Sequence, residues 1–187
     1  MQMNSETPDI YQICVDAASA ARCDFLLIGG HAVNARGYER TTLDIDFLIA
    51  SRDLRGWSEI LERAGYRLIT DNIKAFAQFE PREGEGFRVD LMLVDDATFT
   101  KLLAGSEWRD YGRRRVRVIG ILHLVALKLH ALRSEHRVAL GKDYLDILNL
   151  IRLNQVDIHG PEFEEILNRY GTESIRDRIR RDIAEPL

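Results

Sequence analysis

Apolar positions change period several times along the chain, and each change marks an element. Asp9 to Arg22 carries Ile10, Ile13, Cys14, Ala17, Ala18 and Ala21 at helical spacing, and Pro8 suits the start of that helix. Phe25 to Ile28 is a short, continuously apolar run ended by Gly29-Gly30, which predicts a buried strand. A short helix is predicted from His31 to Arg36, stopping at Gly37. Leu43 to Ala50 predicts a strand, followed by a helix capped by Ser51 or Asp53, running through Ala64 and closed by Gly65. Tyr66 to Thr70, Ala75 to Glu80 and Phe87 to Val94 predict strands. The last two are joined by Pro81 to Gly86, with Gly84-Glu85-Gly86 as the hairpin tip. Asp95-Asp96 opens a helix to Ala104, and Arg113 to Ile119 alternates basic with apolar residues like an edge strand. Beyond Gly120 four helices are predicted: Ile121 to Arg133, Lys142 to Leu153, Pro161 to Tyr170 and Glu173 to Ile183.

These elements predict an α/β (α+β) protein with a short mixed sheet flanked by helices and followed by a helical C-terminal part. The 187 residues suit one α/β core over 1–119 and a helical subdomain over 120–187 packed on it, with no linker long enough to separate them.

Composition narrows the function classes. Charged residues make up 30% and hydrophobic residues 45%, and the formal charge is −4, so no global attraction to a polyanion is evident, although a local basic patch could still bind one. Cys14 and Cys23 are far from C-x-x-C spacing and read as buried free thiols of a reducing cytoplasm, with a disulfide as the lesser alternative. Met1 to Asp9 is polar and acidic, unlike a signal peptide, and the most apolar stretch, Ile119 to Leu132, is broken by His123, Lys128 and His130. The expectation is a cytoplasmic protein without a membrane partner.

The chemistry concentrates at Asp44-Ile45-Asp46. On a strand these two acids point to one face, and Ile45, Phe47 and Ile49 to the other. Like charges side by side on an apolar strand destabilise one another unless a cation or proton offsets them, and oxygen-only ligands suit Mg²⁺. Asp-x-Asp alone better describes two solvated acids at a strand mouth. Three features add to it. Gly29-Gly30 lets backbone N–H groups approach a phosphate, Arg40 and Thr42 lie just before the acids, and Asp90 interrupts the apolar strand Phe87 to Leu93 on the face of Arg88 and Met92. If the two strands are neighbours, three carboxylates converge, as two-metal phosphoryl or nucleotidyl transfer requires.

Leu26-Leu27-Ile28-Gly29-Gly30-His31-Ala32, followed by Arg40-Thr41-Thr42-Leu43-Asp44-Ile45-Asp46, resembles the nucleotidyltransferase superfamily related to DNA polymerase beta, in particular the small bacterial abortive-infection toxin members. The resemblance continues at Val89-Asp90-Leu91, at Leu127 to Arg133 and at Lys142 to Asp146, and so covers about residues 24 to 150. It implies that Asp44, Asp46 and Asp90 bind Mg²⁺, two ions in such enzymes, with Asp90 also accepting the proton of the attacking hydroxyl. It further implies that Gly29 and Gly30 line the triphosphate and that Lys128 and Lys142 approach phosphate; with His31, Arg40 and Thr42 these form the expected nucleotide-binding set. Many superfamily members carry serine where this chain has His31, whose imidazole can still donate one hydrogen bond. Lys142 and Asp146 share a helical face as an i, i+4 pair, and Lys128 between Leu127 and Leu129 also fits a snorkelling lysine.

Other motifs are weaker. Arg113, Arg115 and Arg117 align on one strand face, as an RNA or nucleotide contact or as an edge-strand charge device. His123, His130, His136 and His159 lack zinc-ligand spacing, and no G-x-S-x-G occurs. The expected activity is transfer of a nucleoside monophosphate from a nucleoside triphosphate such as ATP to an acceptor hydroxyl or phosphate. RNA is one acceptor, as in toxin-type relatives, and a small molecule or protein is another; an antitoxin is an implied partner. The rival class is a nucleotide- or partner-binding module that keeps the scaffold without turnover.

Overall fold

The structure is a computed structural model that describes residues 10–70, 75–84, 86–135 and 141–184. Pro8, Glu85 and His136, and with them the proposed start of the first helix and the hairpin tip, lie outside the described residues. The described chain forms α1 (Ile10–Ala21), β1 (Leu26–Leu27), α2 (Gly29–Ala35), β2 (Asp44–Ala50), α3 (Leu54–Arg63), β3 (Tyr66–Leu68), β4 (Phe76–Pro81) and β5 (Arg88–Val94). It continues with α4 (Asp96–Ala104), β6 (Glu107–Tyr111), β7 (Arg114–Val118), α5 (Ile121–Ala131), α6 (Lys142–Leu153), α7 (Pro161–Tyr170) and α8 (Glu173–Ala184). Among the described residues no helix is long and apolar enough to cross a membrane.

Contacts divide the chain into two units, one of Met1–His31 with Thr41–Val118 and one of Ala32–Arg40 with Ile119–Leu187. The first holds a seven-stranded mixed sheet in the order β3-β4-β5-β2-β1-β7-β6. β2 runs parallel to β5 and antiparallel to β1, while β1 is parallel to β7. Ile45, Phe47 and Ile49 of β2 pair in register with Val89, Leu91 and Leu93 of β5, so one face of the sheet is apolar. Trp57 of α3 is fully buried, with its ring 5.2 Å from Phe47 and 5.6 Å from Phe25. Period 2 on the strands and period 3.6 on α3 thus produce one core by facing each other.

Local departures from the sequence reading have physical causes. Neither Ser51 nor Asp53 caps α3 through its side chain; a single 3-10 turn over Ser51–Asp53 intervenes, and the Ser51 hydroxyl donates instead to the Val94 carbonyl at 2.9 Å. Asp95 does cap α4, accepting from the Thr98 N–H at 2.8 Å. The strand with the arginine alternation, β7, is not at the edge, because β6 covers it. β6 has the sequence Glu-Trp-Arg-Asp-Tyr, too polar for an apolar alternation to show.

In the second unit, α5, α6 and α7 enclose Leu124, Leu129, Ile147, Leu150 and Leu167. Residues 32–40 belong here by contact. An Arg36 guanidinium nitrogen donates to the Ile119 carbonyl, and Asn154 Nδ2 donates to the Arg36 carbonyl at 3.2 Å.

Candidate active site

The parallel pairing of β2 and β5 sets the central geometry. Asp44 lies opposite Arg88, and Asp46 directly opposite Asp90, so all three acids fall on the face away from the Phe47 core. One oxygen from each of Asp44, Asp46 and Asp90 lies within 4.8 Å of the others, and this is the one cluster of three or more potential ligand residues among the described residues. Each acid is half-buried. Thr42 Oγ1, itself buried, donates to Asp44 Oδ1 at 3.0 Å and orients that carboxylate. On the far side, Gln78 Nε2 from β4 donates to Asp90 Oδ2 at 3.2 Å, and Arg88 Nε lies 3.0 Å from Asp90 Oδ1.

Burial pushes the Asp90 carboxyl above the ordinary carboxylate range, and the nearby charge of Asp44 adds to the rise; Arg88 and Gln78 oppose it. Three carboxylates in this arrangement repel one another, and their all-oxygen donor set fits a hard divalent cation such as Mg²⁺.

Gly29 explains itself sterically. Its φ is +62°, and a Cβ placed there would lie 1.9 Å from Asp46 Oδ2 and 2.7 Å from Asp46 Cβ. Only glycine permits both the left-handed backbone and this approach of the turn to the acid. The backbone bond from Ile28 N–H to the Asp46 carbonyl, 3.1 Å, extends the β1–β2 pairing to the edge of the turn. The glycines themselves begin α2 rather than preceding it.

His31 follows directly. Its Nδ1 lies 2.7 Å from the Tyr111 hydroxyl, and its ring stacks on Tyr11 with centroids 5.9 Å apart. Neither tyrosine was indicated by the sequence. Tyr111 sits on the unrecognised strand β6, and Tyr11 carries no motif.

The remaining predicted residues gather in the second unit. Arg40 donates through Nε and a terminal nitrogen to both oxygens of Asp146, at 2.6 and 2.8 Å. Lys128 Nζ lies 2.8 Å from Asp146 Oδ2 and 2.9 Å from Asp143 Oδ1. All the Asp146 side chain is buried, and the Lys128 side chain is only 7% exposed. Lys128 is therefore an interior ion-pair partner, not a snorkelling side chain, and the expected i, i+4 pairing of Lys142 with Asp146 is corrected. Lys142 is exposed, and the inward face of α6 is set by Asp143 and Asp146, three residues apart. Arg113 precedes β7. Arg115 and Arg117 face Trp108, with guanidinium carbons 6.0 and 5.1 Å from its ring centre. Cys14 is buried and Cys23 half-buried, and neither forms a disulfide.

Two outcomes follow from these charges. The folded protein holds the Asp90 proton to higher pH than the unfolded chain, whose reference value is 3.8, so between the two pKa values stability falls as pH rises. Without divalent metal, Asp90→Asn should therefore melt higher than the wild type at neutral pH, with the difference vanishing below about pH 3.8 in a thermal-shift series. Lys128→Met leaves Asp143 and Asp146 buried without their lysine and should lower unfolding free energy by about 3–5 kcal/mol in urea titrations.

A family model described as nucleotidyl transferase AbiEii toxin, Type IV TA system, matches residues 14–186. No curated protein matches the sequence. Among solved structures, the lincosamide antibiotic adenylyltransferase LnuA with lincomycin bound is similar over 80% of this chain and 99% of its own, with a TM-score of 0.59 and 18% identity. ANT(2")-Ia in complex with adenylyl-2"-tobramycin is similar over 92% and 96%, with a TM-score of 0.60 and 16% identity. An antigenic nucleotidyltransferase-like protein from Paracoccidioides brasiliensis is similar over 93% and 89%, with a TM-score of 0.58 and 16% identity. These structures share the fold. With the family model spanning nearly the whole sequence, the chain belongs to the AbiEii nucleotidyl transferase toxin family, a member of the nucleotidyltransferase superfamily.

Proposed function

We propose that this protein transfers a nucleoside monophosphate from a nucleoside triphosphate to an acceptor hydroxyl or phosphate, with Mg²⁺ held by Asp44, Asp46 and Asp90. The observation that carries the reading is the convergence of three carboxylates on adjacent parallel strands, within 4.8 Å of one another. Bound divalent ions, two in the proposed chemistry, would offset the repulsion among the acids and stabilise charge on the attacking and leaving oxygens. The chain's own residues do the rest. Asp90 accepts the proton of the attacking hydroxyl as the acceptor oxygen bonds to the α-phosphorus and pyrophosphate leaves. Thr42 keeps Asp44 aimed. The Gly29-Gly30 turn, side-chain-free and in contact with Asp46, gives the phosphates close access to backbone N–H groups, with His31 following it. Roles for Lys128 and Lys142 toward the phosphates rest on the family resemblance, and that of Arg40 on its guanidinium just before the acids in sequence.

In this reading residues 1–119 carry the chemistry, 120–187 form the helical part, and the protein works in the cytoplasm as the toxin of a toxin–antitoxin pair. RNA is the proposed acceptor, with Arg113, Arg115 and Arg117 as its backbone contacts. The antibiotic adenylyltransferases of the same fold support a second reading, a small-molecule acceptor.

The test incubates the protein with each labelled nucleoside triphosphate, Mg²⁺ and an extract of RNA, protein and metabolites. Label should move to the RNA fraction, and Asp46→Asn, folded by circular dichroism, should lower transfer by more than about a hundredfold, the equivalent of several kcal/mol of transition-state stabilisation. Equal transfer by the mutant would remove Asp46 from the chemistry, and label on small molecules would replace RNA as acceptor.

A further inference from the structure

We infer that Tyr111 is a positioning residue for the nucleoside triphosphate, acting through His31 on the Gly29-Gly30 turn. The inference rests on the proposed nucleotide site and names a residue from an element the sequence does not announce. Two consecutive glycines leave the backbone wide conformational freedom, and a turn that must present N–H groups to phosphates loses affinity if it has to be ordered on binding. The contact of Gly29 with Asp46 restrains one end of the turn. At the other end stands a closed group of three rings from three elements.

Tyr11 of α1 stacks on His31 of α2 with an interplanar angle of 17°. Tyr111 of β6 sets its edge against both, with ring centres 5.6 Å from Tyr11 and 5.6 Å from His31. Tyr11 also stacks on Phe47, the residue after Asp46, at 6.4 Å, so the group is anchored to the strand that carries the acids. Within it the Tyr111 hydroxyl and His31 Nδ1 share the 2.7 Å hydrogen bond. Stacking alone leaves an imidazole free to flip about its own bond; this hydrogen bond fixes the ring orientation, whichever of the two groups donates. Tyr111 touches no phosphate in this scheme. It holds the residue that holds the turn.

Tyr111→Phe keeps the ring and removes only the hydroxyl, so it separates this role from packing. The test is a double-mutant cycle of wild type, Tyr111→Phe, His31→Phe and the double variant. Binding of Mg²⁺ with each of the four ribonucleoside triphosphates is measured by calorimetry, and thermal midpoints are measured beside it. The expected result is a loss of affinity of roughly 3- to 10-fold for Tyr111→Phe, the range of one hydrogen bond, with no further loss when the change is made in His31→Phe. Unchanged affinity in Tyr111→Phe, or an equal loss in both backgrounds, would overturn the inference while leaving the nucleotide site intact. A wild type that binds none of the four would overturn both. In the unmodified protein, the ring ¹⁵N resonances of His31 should shift on nucleotide addition, and resonances that stay fixed would also contradict the coupling.

Discussion

The repulsion among three carboxylates is the constraint around which the first unit is arranged. Asp44, Asp46 and Asp90 come together because β2 and β5 pair in parallel with Asp46 opposite Asp90. The opposite face of the same strands places Ile45, Phe47, Val89 and Leu91 in a fully buried core with Trp57. A one-residue slip of either strand would send its acids into that core and its apolar residues to the acid face. The hydrophobic register therefore holds the like charges together, and burial, with a smaller push from the Asp44 charge, raises the proton affinity of Asp90.

Gly29 ties the turn to this arrangement. Its missing side chain leaves the space that the Asp46 carboxylate occupies, and its left-handed backbone ends β1 after two residues and starts α2. The acids and the glycine turn are thus one construction. In the second unit a different solution to buried charge appears, in which Lys128 and Arg40 surround Asp146 and Lys128 also meets Asp143. There each acid has a basic partner within the chain. At the acids of the sheet, Arg88 sets a positive charge beside Asp90, Gln78 adds a hydrogen bond, and the proposed divalent cation would offset the charge further.

Much of this is legible in the sequence. Period-2 alternation gave the common face of Asp44 and Asp46, and an acid interrupting the apolar run of β5 marked Asp90. Helical spacing located most helices, with the Asp95 cap marking α4 and Pro161 opening α7. What stayed hidden was long-range. No local pattern says that Arg40 meets Asp146, 106 residues away, or that Gln78 reaches Asp90. Helical spacing pairs Lys142 with Asp146 as readily as it groups Asp143 with Asp146, and only burial decides between them. β6 was missed because its charged and aromatic residues hide the strand period, and with it went Tyr111 and the true place of β7 in the sheet.

The central claim is that the three acids form a divalent-cation site. Titrating Mn²⁺ into the nucleotide-free protein, with free ion followed by electron paramagnetic resonance, tests it most directly. The account predicts saturable binding by the wild type that Asp46→Asn weakens at least about tenfold, a change of 1.4 kcal/mol or more. Wild-type and Asp46→Asn proteins that bind Mn²⁺ equally well, or not at all, would contradict it.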